Sequence, residues 1–117
     1  MSDSTVITLS AEDAKLVTLA RAVRARAGSI EGAAVRDADG RTYAGISVNL
    51  PSLALTALQY AVAAAVNGGA AGLEAAVVVT EASTLDIAGL TAVRDVSGEA
   101  PIHLATPTGV VLGTFTE

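Results

Sequence analysis

The sequence predicts an α/β layered fold, because helical segments alternate with strand-like segments in the order α-β-β-α-β-α-β-β. Two crossovers support this prediction, one from Val48 to Val77 and one from Val79 to Leu104. Connections of this length that contain a helix predict parallel strand pairs. With 117 residues, the chain has the length of a single domain, residues 1–117, of which we expect 1–9 to be a flexible N-terminus.

Composition excludes several classes of protein. Hydrophobic residues make up 51% of the chain, which is ample apolar surface for a folded core. There is no cysteine and only one histidine, which excludes disulfide scaffolds, thiolate metal sites, cysteine nucleophiles and mechanisms that need two histidines. A net charge of −5 argues against a nucleic-acid partner.

The charge is unevenly distributed, and no residue from Thr42 to Leu73 is charged. Ionisable groups are costly to bury, so this run indicates an interior or an interface. Its apolar part carries Thr56 and Gln59 and lacks the flanking basic residues of a membrane span. Residues 1–10 have no basic residue and no apolar segment typical of a signal peptide. We therefore expect a cytoplasmic protein without a membrane partner.

The first helix has clear end signals. Ser10 is a capping residue, Glu12 and Asp13 provide acids for the first turn, and Gly28 is the expected stop. Next, the turn sequence Asp37–Gly40 predicts a β-hairpin. The predicted strands are Ala33–Arg36, Thr42–Val48, Glu74–Thr80, Ile102–Thr106 and Val110–Phe115.

The second helix is predicted to begin at Asn49–Ser52, where Pro51 suits a first turn, and to end at Gly68-Gly69. A third, short helix is predicted over Leu85–Val96. The Leu50–Val66 helix is apolar on nearly every side, which is typical of a helix buried on every side. We expect a second subunit to cover it, in a dimer or a tetramer. The alternative is that the first helix covers it within one subunit.

The stretch from Glu31 to Gly45 reads EGAAVRDADGRTYAG. It resembles the opening hairpin of the small homotetrameric cytidine deaminases, and the resemblance extends over residues 10–115. It implies a mixed five-stranded sheet with helices on both faces and assembly as a homo-oligomer. The nearest likeness is to degenerate deaminase-like proteins of high-GC bacteria.

The motifs of that family fall on residues that cannot perform its chemistry. The resemblance places the first zinc ligand at Thr56, the catalytic Glu at Leu58, and the two zinc-binding cysteines at Ala88 and Thr91. Zinc lowers the pKa of its bound water to about 7, and a Glu carries the proton. Neither Thr56 nor Ala88 can be an anionic soft ligand, and Leu58 cannot carry a proton. The sequence therefore predicts a non-catalytic protein with no zinc and no cofactor.

Other polar residues leave further functions open. The side chains near the ancestral pocket that could contact a nucleoside-like ligand are Tyr43, Asn49, Gln59 and Tyr60. His103 is interpreted as a solvent-facing or a satisfied strand histidine; the alternative is a general base for Thr56, Thr91 or Ser97. Three functions compete: a structural or partner-binding protein, a small-ligand binding module, and an active deaminase or other hydrolase.

Overall fold

The computed structural model describes residues 7–116 and has the α/β architecture that the sequence predicts. The flexible segment expected at residues 1–9 lies mostly outside the described residues, and residues 7–10 carry no regular structure. In chain order the elements are α1 (Ala11–Ala27), β1 (Glu31–Asp37), β2 (Thr42–Ile46), β3 (Val48–Leu50), β4 (Leu53–Leu55), α2 (Ala57–Asn67), β5 (Leu73–Thr80), α3 (Ile87–Val96), β6 (Ile102–Ala105) and β7 (Val111–Phe115).

The main sheet is mixed and five-stranded, in the order β2-β1-β5-β6-β7. The crossover from Val79 to Leu104 gives the predicted parallel pair, β5 with β6. The prediction that the strands containing Val48 and Val77 form a parallel pair is wrong. Strand β1 lies between β2 and β5 and pairs antiparallel with both, because the β1–β2 hairpin returns the chain beside its own first strand.

Helices cover both faces of this sheet. Helix α1 packs on one face through Leu16, Val17 and Ala20. Helices α2 and α3 pack side by side on the other face, over a second apolar core that includes Leu58 and Val93. The alternative in which α1 covers α2 is therefore wrong, because the sheet lies between the two helices.

Local signals at the first helix and hairpin are confirmed. The Ser10 hydroxyl accepts a hydrogen bond from the Asp13 N–H at 3.1 Å, and Gly28 closes α1 with a φ of 65°. Gly40 has a φ of 86°, which an L side chain rarely adopts, and it ends the turn between β1 and β2. In the part of the chain that the structure describes, no helix has the length and apolarity of a membrane span.

The predicted start of the second helix is wrong. The residues taken as its cap, Asn49–Ser52, form a small hairpin in which Leu50 pairs with Leu53 across Pro51 and Ser52. Helix α2 begins at Ala57 because Thr56 and Gln59 form a capping box, each side chain bonding the other residue's backbone N–H. Similarly, α3 begins at Ile87, two residues after Leu85, because Asp86 is its cap.

Candidate functional site

The residues at the family's motif positions lie at the N-termini of α2 and α3. Leu58 is completely buried, with 0% of its surface exposed, and it packs against Gly89 of α3. A methyl group placed on Gly89 would lie 2.7 Å from the Leu58 Cβ, which is closer than carbon atoms pack. Leu58 and Gly89 thus bring the two helices into close contact at this point.

The remaining motif positions perform local structural roles. The Thr56 Oγ1 accepts the Gln59 N–H at 3.1 Å, while the Gln59 Oε1 accepts the Thr56 N–H at 3.0 Å. Ala88 and Thr91 are exposed on α3. Within residues 7–116, no three His, Asp or Glu side chains are grouped so that they could hold a metal ion. The residues at the three ligand positions, an alanine and two threonines, do not fit a tetrahedral zinc site, which takes His, Cys or carboxylate ligands.

A groove lies beside the N-terminus of α2, and it contains two of the four predicted ligand-binding residues. Asn49 and Gln59 line it together with Glu31 and Thr56, and its volume is about 330 Å³. The structure thus brings Asn49 and Gln59 together. Gln59 is already engaged in the capping box, which leaves its amide nitrogen for other partners.

The two tyrosines lie elsewhere. The Tyr60 ring covers the backbone of Gly45 on β2, so a side chain at position 45 would collide with it. The Tyr43 ring lies against Gly68, beyond the C-terminus of α2, and its hydroxyl donates to the Asp37 Oδ2 at 2.9 Å. The four residues therefore do not form one site.

Asp37 organises the turn that Tyr43 contacts. It is buried, and its Oδ1 accepts the N–H groups of Asp39 and Arg41 at 2.9 Å each. Burial acts to raise the pKa of Asp37, but these hydrogen bonds outweigh it and hold the pKa below its usual 3.8. The hydrogen bond to the Asp37 carboxylate raises the pKa of Tyr43 above its usual 10.0.

His103 lies on the face of the sheet that α1 covers, and only 4% of its surface is exposed. Its Nε2 is 2.8 Å from the Asp13 Oδ2, and its Nδ1 is 2.8 Å from the Thr114 Oγ1. Both ring nitrogens have partners, which confirms a satisfied strand histidine, whereas the solvent-facing interpretation is wrong because the side chain is buried. Ser97 is engaged elsewhere, because its Oγ accepts the Leu73 N–H at 2.7 Å.

Asp13 extends this contact into an ionic network. Its Oδ1 lies 2.9 Å from the Arg36 Nη2, and the Arg36 Nε donates to Glu74 at 2.8 Å. Burial acts to raise the pKa of Asp13, but His103 and Arg36 outweigh it and lower the pKa. Sequence reasoning missed this network because Asp13 and His103 are 90 positions apart.

Known proteins that are similar to this chain have the same fold. A family model described as cytidine deaminase-like matches residues 9–109. The chain belongs to the cytidine deaminase-like family. No functionally curated protein matches the sequence.

Two solved structures of similar fold are cytidine deaminases. The enzyme from Burkholderia pseudomallei has a TM-score of 0.76 and 22% identity, over 87% of this chain and 90% of that chain. The enzyme from Mycobacterium leprae has a TM-score of 0.67 and 24% identity, also over 87% of this chain and 90% of that one. At these identities the likeness shows a shared cytidine deaminase fold.

Proposed function

We propose that this chain is a non-catalytic member of the cytidine deaminase-like family that acts in the cytoplasm as an oligomeric structural or partner-binding protein. The observation that carries the proposal is the burial of Leu58 against α3, at the position where the resemblance places the catalytic glutamate. The absence of cysteine from the sequence is compatible with a reducing compartment.

Leu58 stabilises the fold at a position that catalysis would require to be polar. Burying a leucine side chain contributes about 1.5–3 kcal/mol relative to leaving it exposed. A carboxylate at this position would face the apolar core and the nearby Asp86 carboxylate, which lies against the same glycine. Without a metal ion to offset its charge, such a carboxylate would be strongly unfavourable.

The outer face of α2 and α3 supplies the proposed oligomer interface. We define this outer face by six exposed residues, and the exposed Asp95 follows them one turn beyond Thr91 on α3. The six uncharged residues are Tyr60, Ala63, Val66, Ile87, Ala88 and Thr91. Ile87 is 75% exposed and Val66 is 57% exposed, and exposed apolar surface is a feature of interaction sites. Burying these side chains against a second copy would remove them from water.

The alanines of α2 divide between the core and the outer face. Ala57, Ala61 and Ala65 lie in the core beneath α2 and are at most 1% exposed. Ala63 lies on the exposed side of the helix. A charge at Ala63 therefore tests association, whereas a charge at Ala61 would disrupt the fold of the single chain.

Sedimentation equilibrium at micromolar concentration tests the interface. We expect wild-type protein to sediment as a multiple of 11.6 kDa and Ala63→Glu to sediment as a smaller species. Ala22→Glu places the same charge at an exposed position on α1 and should leave the mass unchanged. A wild-type mass of 11.6 kDa would contradict the oligomer proposal.

A turnover assay tests the absence of catalysis. Protein supplied with zinc and cytidine should release no uridine, as followed by the change in ultraviolet absorbance. Turnover that a chelator abolishes would contradict the proposal, because it would require a metal site that Thr56, Ala88 and Thr91 do not provide.

A second candidate function is small-ligand binding, favoured by the groove that Asn49 and Gln59 share. Isothermal titration with cytidine and uridine tests it. Binding that is lost in Asn49→Ala but retained in Tyr43→Phe would support this function, since Tyr43 lies outside the groove. No heat of binding for either nucleoside would reject it.

A further inference from the structure

An exposed threonine hydroxyl lies against the buried histidine. Thr114 of β7 is directly opposite His103 of β6, so both side chains are on the face of the sheet that α1 covers. The Thr114 Oγ1 is 2.8 Å from the His103 Nδ1, and the His103 Nε2 is 2.8 Å from the Asp13 Oδ2. A hydroxyl, an imidazole and a carboxylate thus form one hydrogen-bonded chain, which is the arrangement that activates a hydroxyl as a nucleophile.

The contacts of Asp13 assign the hydrogen on the imidazole ring. Burial opposes ionisation of Asp13, but its contacts with His103 and Arg36 outweigh burial and lower its pKa. An ionised carboxylate can only accept hydrogen bonds, so the His103 Nε2 carries a hydrogen and donates it to Asp13. In the neutral ring the Nδ1 is then an acceptor, and the Thr114 hydroxyl donates to it.

The base is shielded from solvent, whereas the hydroxyl is accessible. Only 4% of the His103 surface is exposed, while Thr114 is an exposed residue on β7, the strand at one edge of the sheet. The distance between Oγ1 and Nδ1 is within the range over which a general base takes a proton. A reagent from solution can therefore meet the Thr114 oxygen while His103 holds its hydrogen.

Charge indicates which group Thr114 can accept. Phosphoryl transfer depends on cations placed around the phosphate, and the cation of this network, Arg36, is engaged by Asp13 and by Glu74. The chain also has a net charge of −5, which repels an anionic donor. A neutral acyl donor meets neither obstacle, because acyl transfer to a hydroxyl requires a base and no cation.

We propose that Thr114 is an acyl acceptor and that His103 is its general base. The Thr114 Oγ1 attacks the carbonyl carbon of an activated acyl ester, either an aryl ester or a thioester, as the His103 Nδ1 takes the hydroxyl proton. The bond from the carbonyl carbon to the leaving oxygen or sulfur breaks, and His103 passes the proton to that atom. The products are an ester on Thr114 and a phenol or a thiol.

This modification is independent of the function proposed above. The sheet lies between the Thr114–His103 pair and Leu58, so the altered motif positions take no part in it. One acyl group is taken up by each chain, which is a stoichiometric modification and not turnover of cytidine. The acylation and the proposed oligomer can therefore fail separately.

Labelling of the full chain with p-nitrophenyl acetate at neutral pH tests the proposal. We expect one acetyl group on Thr114, counted by intact mass and located by fragment mass spectrometry. Neutral hydroxylamine should remove it, because hydroxylamine cleaves esters and leaves amides intact. The amines, which are Lys15 and the α-amino group, form amides and serve as an internal reference within the same sample.

Four variants identify the reacting groups. Thr114→Val removes the hydroxyl at an exposed strand position and should abolish the hydroxylamine-sensitive label, whereas Thr114→Ser should retain it. His103→Gln keeps a polar side chain without the base and should slow acetylation of Thr114 about 100-fold or more. Thr116→Val, at an exposed threonine two positions further on, should leave the label unchanged, and far-UV circular dichroism checks each fold.

The outcomes decide the proposal. A hydroxylamine-sensitive acetyl group on Thr114 that forms more slowly in His103→Gln supports it. Acetylation confined to the amines overturns it, as does equal labelling of Thr114 and Thr116 in the wild-type protein. The comparison of these two threonines uses the wild type alone, so it remains decisive if His103→Gln does not fold. Equal rates in a folded His103→Gln also overturn the proposal.

Discussion

The two faces of the sheet bury their residues in different ways. Beneath α2 and α3 lies the larger hydrophobic cluster, in which Leu58 occupies the position where the resemblance places an acid. Beneath α1, His103 is buried almost as completely, but hydrogen bonds to Asp13 and Thr114 hold it. The buried network of His103, Asp13 and Arg36 is therefore on the side of the sheet away from Leu58, where Asp86 caps α3.

The buried, charged network beneath α1 has a structural role. The lowered pKa of Asp13 follows from its contacts with His103 and Arg36, which tie the first turn of α1 to the sheet. Structural networks of this kind shift pKa values as active sites do. On the opposite face, the buried apolar residues are explained by the packing of α2 and α3 on the sheet.

Introducing a charge on the apolar face should have the largest effect. Leu58→Glu places an uncompensated carboxylate in a fully buried position, so we expect it to lower the free energy of unfolding by about 3–5 kcal/mol or to prevent folding. Leu58→Met keeps the volume and should cost about 1 kcal/mol. Urea denaturation measures both, and an unchanged stability for Leu58→Glu would show that the site is not buried.

Breaking the network on the other face should have an intermediate effect. Asp13→Ala leaves His103 and Arg36 without their shared partner, which should cost about 1–3 kcal/mol of unfolding free energy. Glu12→Ala changes the adjacent, exposed acid and should stay within about 0.5 kcal/mol of wild type. Equal losses for the two variants would mean that the network does not stabilise α1.

The Asp37–Tyr43 pair predicts a pH dependence in both directions. Because the folded-state pKa of Asp37 is lowered, its contribution to stability is present above about pH 4 and is lost as the pH falls through the folded pKa. Because the folded-state pKa of Tyr43 is raised, its contribution to stability is present below pH 10.0 and is lost as the pH rises through the folded pKa. Asp37→Asn should weaken the dependence of the melting temperature on pH at both the acidic and the alkaline end. If the variant and the wild type show the same pH dependence, the Asp37–Tyr43 pair does not cause it.

Substitutions at the exposed motif positions should have the smallest effect on the fold. Ala88→Ser and Thr91→Ala alter exposed side chains, so each should change the unfolding free energy of the dissociated chain by less than about 0.5 kcal/mol. The same urea denaturation, performed in the Ala63→Glu background, measures this. A loss of 2 kcal/mol or more would place these residues in a packed site within one chain.

Local signals were enough to predict much of the fold. Ser10 and Gly28 mark the two ends of α1 as expected, because capping acts within one turn of a helix. The β3–β4 hairpin was missed because Pro51 and Ser52 suit a helix start as well as a turn. The spacing of Thr56 and Gln59, a capping-box pattern, was the signal for the true start of α2.

The candidate site was less predictable, because it depends on contacts between distant residues. The resemblance identified Leu58 and Thr56 as altered motif positions, but the packing of Leu58 on Gly89 required the structure. Tyr43 is separated from Asn49 because its ring meets Gly68 beyond the C-terminus of α2, whereas the Tyr60 ring packs on Gly45 of β2. Composition and spacing carry no information about either arrangement.

The metal content of purified protein tests the central claim most directly. Elemental analysis after dialysis against zinc should find well below one equivalent of zinc per chain, because Thr56, Ala88 and Thr91 offer no ligand set for a tetrahedral site. A control restoring cysteine at these three positions defines the signal of a loaded site. One equivalent of tightly held zinc in the wild-type protein would contradict the account.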